Sequence, residues 1–290
     1  MAAQPKPGRE FVLTLSCHDR PGIVHAVSGF LVDRGGNILE NQQFDDRRES
    51  RFFMRVHFEV PAEGGALDVL QAGFGPVAEA YGIDWRLQDV STRTRTLIMV
   101  SKFGHCLNDL LFRRMTGALP IEVPAIVSNH RDFEELAGGY GIPFHHIPVT
   151  AGTKADAEAR LLHLVDELDV DLVVLARYMQ ILSDDTCKQL EGRAINIHHS
   201  FLPSFKGARP YEQAHRRGVK LVGATAHYVT SDLDEGPIIE QDVVRVSHAQ
   251  TPDELVAMGR DVEAQVLARA VAWHSQSRVM ARGNRTVVFR

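Results

Sequence analysis

Long apolar segments are absent from this sequence. No stretch approaches the roughly 18 consecutive apolar residues that a membrane-spanning helix needs. The first ten residues, MAAQPKPGRE, contain no apolar core of the kind that a secretory signal requires. We therefore expect no membrane partner and a cytoplasmic location.

Cysteine and excess charge are both scarce. The three cysteines, Cys17, Cys106 and Cys187, lie far apart without CxxC spacing, which favours reduced thiols over a disulfide framework. The formal net charge is -5, so the chain as a whole does not attract a polyphosphate backbone, although local basic clusters are possible. We expect no nucleic-acid partner.

Several short catalytic and cofactor motifs are also missing. There is no P-loop and no GxGxxG fingerprint, so a nucleotide cofactor is not expected. Neither HxxxH nor HExxH occurs, and no GxSxG elbow suggests a serine hydrolase. The sequence therefore predicts a protein without a cofactor or a bound metal.

The length of 290 residues and a change of pattern near residue 91 indicate two domains. In the first half, strand-like and helix-like segments follow one another at residues 11–17, 23–36, 37–46, 50–60, 66–81 and 83–90. This βαββαβ order predicts a ferredoxin-like domain over residues 1–91, with both helices on one face of an antiparallel sheet. The polar stretch STRTRT, residues 91–96, shows no core residue and is predicted to join the domains.

The second half, residues 92–290, alternates apolar strands with helices. Strand candidates lie at residues 96–101, 122–128, 144–149, 171–177, 194–197, 223–230 and 238–246. The helix that starts near Thr153 has that residue as its predicted N-cap and Asp156 in its first turn. A long helix at 252–275 and a hairpin turning at Gly283 follow. This alternation predicts a mostly parallel, Rossmann-like α/β sheet with helices on both faces.

The candidate chemical site is the segment INIHHSFLPSFKGARP, residues 195–210. Asn196 and His198 end a predicted strand, two residues apart and therefore on one side of it. Ligands of parallel sheets bind outside the carboxyl ends of the strands. The downstream loop SDLDEGP adds Asp232 and Asp234. An amide donor, a titratable donor and a carboxylate together suit an acyl-type transfer, although Asp232 is also a common turn residue.

Metal binding and cysteine chemistry are the alternatives. Two aspartates and three histidines, His198, His199 and His227, could ligate zinc. Adjacent histidines on an extended chain, however, are expected to point to opposite faces. Cys106 could be a nucleophile, but a lone cysteine at a helix start is more often inert.

The strings INIHHSFLPSFKG and GATAHYVTSDLDEGPII resemble the signature of the folate-dependent formyltransferases. The resemblance covers roughly residues 95–271 and implies catalytic roles for Asn196, His198 and Asp234. The segment LARYMQILS resembles the one whose backbone holds the pterin ring of the folate. That likeness implies folate contacts from one wall at Met179, Gln180 and Leu182, and from a second wall that includes Thr230 and Leu233.

The first loop departs from the transferase pattern. Where those enzymes carry a Gly- and Ser-rich phosphate cradle, this chain reads SKFGHCLND, with Lys102 and Phe103 before the one remaining glycine. A tight phosphate cradle needs small residues and free backbone amides, so a ribonucleotide acceptor is poorly provided for. Water is then the remaining nucleophile. His105 could help to enclose that water, and His227 could orient the site or simply pack as a structural residue.

The N-terminal half, with HDRPGIV in its first strand–helix turn, resembles an ACT regulatory domain. An ACT domain ahead of a formyltransferase-like domain resembles the 10-formyltetrahydrofolate deformylase family, and His199 in place of proline fits that pattern. The family likeness implies hydrolysis of 10-formyltetrahydrofolate to tetrahydrofolate and formate. The formate would supply purine synthesis, and the reaction would balance one-carbon folate pools. The likeness also implies a homo-oligomer, a dimer or a tetramer.

The same likeness implies an effector site, and two other functions compete with hydrolysis. An amino acid could bind the ACT domain at Asp19, Gly22 and Ile23, although DRPG can equally be a tight turn alone. Transfer of the formyl group to a small amine acceptor is the alternative activity, and a sensor without catalysis is a third reading. The folate glutamate tail could meet Arg177 or Arg209, either of which could instead form a structural ion pair.

Overall fold

The computed structural model describes residues 8–62, 65–202 and 210–290. The chain separates into two compact units. The first runs to Thr92 and also includes Gln276–Met280 and Phe289–Arg290, while the second comprises Arg93–Ser275 and Ala281–Val288. The sequence divides the chain at residues 91 and 92 and assigns these C-terminal segments to the second domain.

The first unit has the predicted βαββαβ order. Its elements are β1 (Arg9–His18), α1 (Ile23–Val32), β2 (Asn37–Asp46), β3 (Arg51–Val60), α2 (Leu67–Tyr81) and β4 (Asp84–Asp89). The strands form one antiparallel sheet in the order β2-β3-β1-β4. This is the ferredoxin-like arrangement predicted from the sequence.

The core of the first unit follows from two periodicities. Alternate residues of β1, Phe11, Leu13 and Leu15, are buried on one face of the sheet. Four apolar residues of α1, at helical spacing, enter the same core: Ile23, Val27, Phe30 and Leu31. Alternation in the strand and helical spacing in the helix thus account for this core.

The second unit contains an eight-stranded sheet and six helices among its described residues. Its elements are β5 (Thr94–Val100), α3 (His105–Met115), β6 (Ile121–Glu122), β7 (Ile126–Ser128), α4 (Glu134–Gly139), β8 (Phe144–His146), α5 (Lys154–Glu167), β9 (Leu172–Leu175), α6 (Asp184–Gln189), β10 (Ala194–His198), α7 (Pro210–Arg217), β11 (Leu221–Tyr228), β12 (Ile238–Arg245) and α8 (Pro252–Ser275). The order is β12-β11-β10-β9-β5-β7-β8, with β6 beside β5. Only β10–β11 and β11–β12 are antiparallel among the described pairs, so the sheet is mostly parallel as predicted.

Helices from distant parts of the sequence pack on this sheet. Leu97 and Met99 of β5 pack in one cluster with residues of α5 and α6, including Leu161 and Cys187. Helices α3 and α8 pack against each other, and α8 also contacts β10, β11 and β12. The packing leaves the carboxyl ends of β5, β9 and β10 side by side in the sheet, where loops carry the candidate site residues.

The predicted joint at residues 91–96 is wrong in its second half. Strand β5 already begins at Thr94, and Thr96 is 0% exposed. A buried hydroxyl is tolerated there because Thr96 donates its proton to the carbonyl oxygen of Thr94. The predicted strand at 122–128 is also broken, because Pro124 has no N–H for a sheet ladder and separates β6 from β7.

The predicted cap of α5 is also wrong. Thr153 occupies the N-cap position, but its side chain does not bond to the first turn of the helix. Its hydroxyl instead accepts the N–H of Thr150 at 3.0 Å. Local turn bonding therefore competes with capping for the same hydroxyl.

The C-terminal tail forms the predicted hairpin. Strands β13 (Val279–Arg282) and β14 (Arg285–Val288) pair, and Gly283 adopts a left-handed φ of 53° at the turn. Within the described residues, no helix is both long and apolar enough to cross a membrane.

Candidate active site

Asn196 and His227 are neighbours across two adjacent strands. Strand β10 carries Asn196 opposite His227 of β11 in the antiparallel register, and Asn196 Nδ2 lies 3.2 Å from His227 Nε2. His227 is buried, and its Nδ1 lies 2.9 Å from the carbonyl oxygen of Tyr228. Because a carbonyl only accepts, Nδ1 carries a proton, and Nε2 is the nitrogen that faces the site.

Asp234 joins the two histidines. Its Oδ1 lies 3.2 Å from Nδ1 of His198 and 3.7 Å from Nε2 of His227. Hydrogen bonding to His198, then to His227, holds the pKa of Asp234 far below its usual range despite burial. The carboxylate is therefore an anion, and it faces the His198 ring.

The loop that carries Asp234 is a constrained turn. Asp234 itself has a left-handed φ of 59°, which Asp tolerates better than most residues. The Thr230 hydroxyl donates to the carbonyl oxygen of Asp232 at 3.1 Å. A Cβ at Gly236 would lie 1.8 Å from the Tyr228 carbonyl oxygen, so only glycine fits where the loop returns to β12. Asp232 is exposed, as expected of a turn residue.

The second ring nitrogen of His198, Nε2, contacts Ser200, a residue that the sequence interpretation missed. Ser200 is buried, and its hydroxyl lies 2.8 Å from Nε2 of His198. Since Nδ1 faces the anionic Asp234, Nε2 is the nitrogen that can be presented to a substrate. The only signal in the sequence was a hydroxyl residue two positions after the histidine.

One predicted wall of the folate site is a loop that is fixed at both ends. Near its start, the N–H of Met179 donates to Ser101 Oγ at 3.0 Å. At its end, Glu158 of α5 accepts hydrogen bonds from the N–H and the hydroxyl of Ser183. Leu182 is 8% exposed and belongs to the core cluster of α5 and α6, so its side chain anchors the loop.

Other predicted folate residues are accessible from solvent. Met179 is 52% exposed and Leu233 is 56% exposed. Gln180 lines a groove with Tyr178 and Leu182, while Thr230 is half-buried.

His105 lies in an ion cluster built around Glu263, a residue that the sequence interpretation also missed. Glu263 is 1% exposed, and its carboxylate meets His105 at 2.7 Å, the Tyr211 hydroxyl at 2.8 Å and Arg177 Nε at 3.4 Å. Arg177, proposed either for the folate tail or for an ion pair, forms the ion pair. The described contacts of His105 run to Glu263 and not to His198 or Asp234, and Arg209 lies outside the described residues.

The described chain brings three possible metal ligands together at His105, Cys106 and Glu263, none of which belongs to the zinc set considered from the sequence. Burial, followed by the nearby Glu263, raises the pKa of the Cys106 thiol well above its usual range, which disfavours the thiolate that a metal needs. Glu263 is already engaged by three side chains. We interpret the cluster as an ion network, and the absence of a metal from the protein stays a prediction.

The expectation that His198 and His199 point to opposite faces is wrong. Their ring centroids lie 5.1 Å apart with 33° between the ring planes. Strand β10 ends at His198, so His199 no longer follows the strand alternation on which the expectation depended.

The predicted effector residues lie in the first turn of the first unit. Asp19 and Gly22 are exposed, and Gly22 has a left-handed φ of 98° at the N-cap of α1. A Cβ there would lie 2.9 Å from the Tyr81 hydroxyl, so glycine fits both the backbone and the space. The side chain of Ile23 is buried in the core, which leaves only its backbone for a ligand.

Comparisons with known proteins define the class first. The formyl transferase family matches residues 94–271, and the ACT domain family matches residues 11–72. A solved glycinamide ribonucleotide transformylase 1 from Symbiobacterium toebii is 29% identical, covers 70% of this chain and 97% of its own, and has a TM-score of 0.65. The chain thus carries an ACT domain followed by a formyl transferase domain, which confirms the predicted fold class.

Longer matches define the family within that class. A formyltetrahydrofolate deformylase of Corynebacterium sp. (strain P-1) is 56% identical over 96% of this chain and 98% of its own length. The crystal structure of the formyltetrahydrofolate deformylase from Burkholderia mallei is 52% identical, has a TM-score of 0.93, and covers 97% of this chain and all of its own. The chain belongs to the formyltetrahydrofolate deformylase family, as its sequence resemblance implied.

Proposed function

We propose that this protein hydrolyses 10-formyltetrahydrofolate to tetrahydrofolate and formate, which then supplies purine synthesis. The observation that carries the proposal is the contact of His198 with Asp234 beside Asn196, in a chain of the deformylase family. These groups supply the donors and the carboxylate that acyl transfer to water requires.

The formyl carbon is attacked by water in this proposal. Asp234 takes a proton from the water as its oxygen bonds to the carbon. The negative charge that develops on the formyl oxygen is stabilised by Asn196 and by an N–H of His198. One such donor is typically worth about 10²–10³ in rate.

Collapse of the tetrahedral intermediate breaks the bond between carbon and nitrogen. The electron pair stays on the nitrogen of tetrahydrofolate, a poor leaving group unless it gains a proton. Asp234, protonated in the first step, returns that proton directly or through a neighbouring donor. We assign the folate ring to the loop of Met179, Gln180 and Leu182, opposite Thr230 and Leu233.

The direct test is to incubate the purified protein with 10-formyltetrahydrofolate alone and to measure formate and tetrahydrofolate. We expect equal amounts of both without any added amine. Turnover that starts only when an amine is supplied, and that yields a formylated amine, would instead support the transferase alternative.

We further propose that the protein is cytoplasmic and forms a homo-oligomer. We also propose that its ACT domain binds an amino acid at Asp19, Gly22 and the backbone of Ile23. The three buried, unpaired cysteines support a reducing compartment. Strand β2 is an edge strand with exposed Leu39 and Phe44, an edge to which a second copy can pair. Light scattering tests the oligomeric state, and calorimetry with single amino acids tests ligand binding to the ACT domain.

A further inference from the structure

His199 has no role in the reaction described above, although it adjoins the site. It follows His198 at the point where β10 ends, with its ring centroid 5.1 Å from that of His198. The side chain is half-buried. In the part of the chain that the structure describes, no hydrogen bond or ion pair engages its ring. Its nitrogens are therefore available to a molecule in the site.

The surroundings of His199 keep its ring unprotonated. Burial, followed by the positive charges of Arg177 and His198, lowers the pKa of His199 to about 4, and Glu263 and Asp234 oppose this shift without reversing it. At neutral pH the ring consequently has one N–H donor and one nitrogen with a free lone pair. An imidazole in this state can accept a hydrogen bond from water.

Attack by water needs such an acceptor. For one lone pair of the oxygen to point at the formyl carbon, both O–H groups should be held by acceptors on the protein. The described contacts of Asp234 with His198 and His227 both use Oδ1, which leaves Oδ2 to accept one of the two O–H groups. The other O–H needs a second acceptor, and His199, whose ring lies beside that of His198, has a free nitrogen for it.

We propose that His199 is a further catalytic residue that orients the attacking water, an inference that rests on the hydrolytic function proposed above. Its ring nitrogen accepts one O–H of the water, and Asp234 Oδ2 accepts the other. As the oxygen bonds to the formyl carbon, the proton held by Asp234 leaves the water and later reaches the departing nitrogen. The remaining proton stays on the oxygen until formic acid ionises, so none is transferred to His199.

The test compares two substitutions of His199 in the full-length protein. His199→Phe keeps a ring but removes the acceptor, and should lower kcat about 10²-fold through misplacement of the water while KM changes little. His199→Asn offers a carbonyl oxygen as acceptor and should recover about tenfold of that loss. His163→Phe is the matched control, because His163 is an exposed histidine of α5, and it should leave kcat unchanged.

The outcomes separate this inference from the proposed function. Formate release by the unmodified protein tests hydrolysis by itself. If that activity is present and His199→Phe retains the full kcat, His199 does not orient the water. Equal losses in the Phe and Asn variants, each with an unchanged melting temperature, would likewise overturn the role as an acceptor. If the Phe variant does not fold, His199→Ala takes its place with the same expected loss.

Discussion

Nδ1 of His198 lies 3.2 Å from Oδ1 of Asp234, although one residue ends β10 and the other lies in the loop after β11. The contact fixes which nitrogen of the histidine faces the carboxylate and leaves Nε2 for the substrate. It also makes the carboxylate a stable anion. The proposed chemistry of the site depends on this pair.

Removing the charge of Asp234 should therefore impair turnover more than binding. Asp234→Asn is expected to lower kcat by at least about 10²-fold while the affinity for a folate ligand stays within a few-fold. Steady-state kinetics and a folate binding titration measure the two effects. Asp232→Asn, in the same loop but exposed, is the matched control and should do far less. Near-normal turnover in the Asp234→Asn variant would remove Asp234 from the mechanism.

The same pair should give stability a specific pH dependence. Asp234 has a lower pKa in the folded protein than the roughly 3.9 expected for an unfolded chain. Its contribution is therefore fully present above about pH 4 and is lost as the pH falls towards the folded pKa. Urea unfolding at a series of pH values should show a constant difference between the unmodified protein and Asp234→Asn at neutral pH, which shrinks below about pH 4. A difference that grows in acid would contradict the assigned direction.

Glu263 should matter for stability because its carboxylate is surrounded by donors in the interior. Glu263→Gln leaves the Arg177 charge buried without its anion, and breaking such a pair typically costs about 3–5 kcal/mol. The control is Glu134→Gln, since Glu134 is exposed and pairs with Arg131 at the surface, where a change of at most about 0.5 kcal/mol is expected. The free energy of unfolding in urea measures both, and equal values for the two variants would refute the assignment of Glu263.

Activity should also be independent of metal. The proposed reaction uses only protein side chains and water, so prolonged dialysis against a chelator should leave kcat unchanged. Elemental analysis of the purified protein should find no stoichiometric zinc. Activity that is lost on chelation and restored by a metal ion would contradict this prediction.

Sequence patterns predicted the elements that have strong local signals. Strand β1 is rich in strand-forming residues, and helix α1 carries apolar residues at helical spacing, so both were predicted close to their observed bounds. Thr153 and Thr96 were misinterpreted because the decisive bonds depend on geometry. The Thr153 hydroxyl is taken by Thr150, and Thr96 satisfies its hydroxyl within its own strand.

Some residues of the candidate site could likewise be predicted from the sequence, and others could not. Asn196, His198 and Asp234 lie in short segments whose likeness to formyltransferases was visible in the sequence, and the structure brings them together. Glu263 could not be selected, because its partners His105 and Arg177 come from distant segments and nothing in helix α8 marks one carboxylate as buried. The bend after β10 that brings His199 beside His198 likewise has no signal in a pattern of alternating residues.

The source of the second formate oxygen is the measurement that tests hydrolysis most directly. The enzyme is incubated with 10-formyltetrahydrofolate in water enriched in ¹⁸O, and the released formate is analysed by mass spectrometry at early times. Attack by water predicts one ¹⁸O atom in each formate molecule, in the absence of any amine. Formate without the label, or no formate until an amine acceptor is added, would contradict the account.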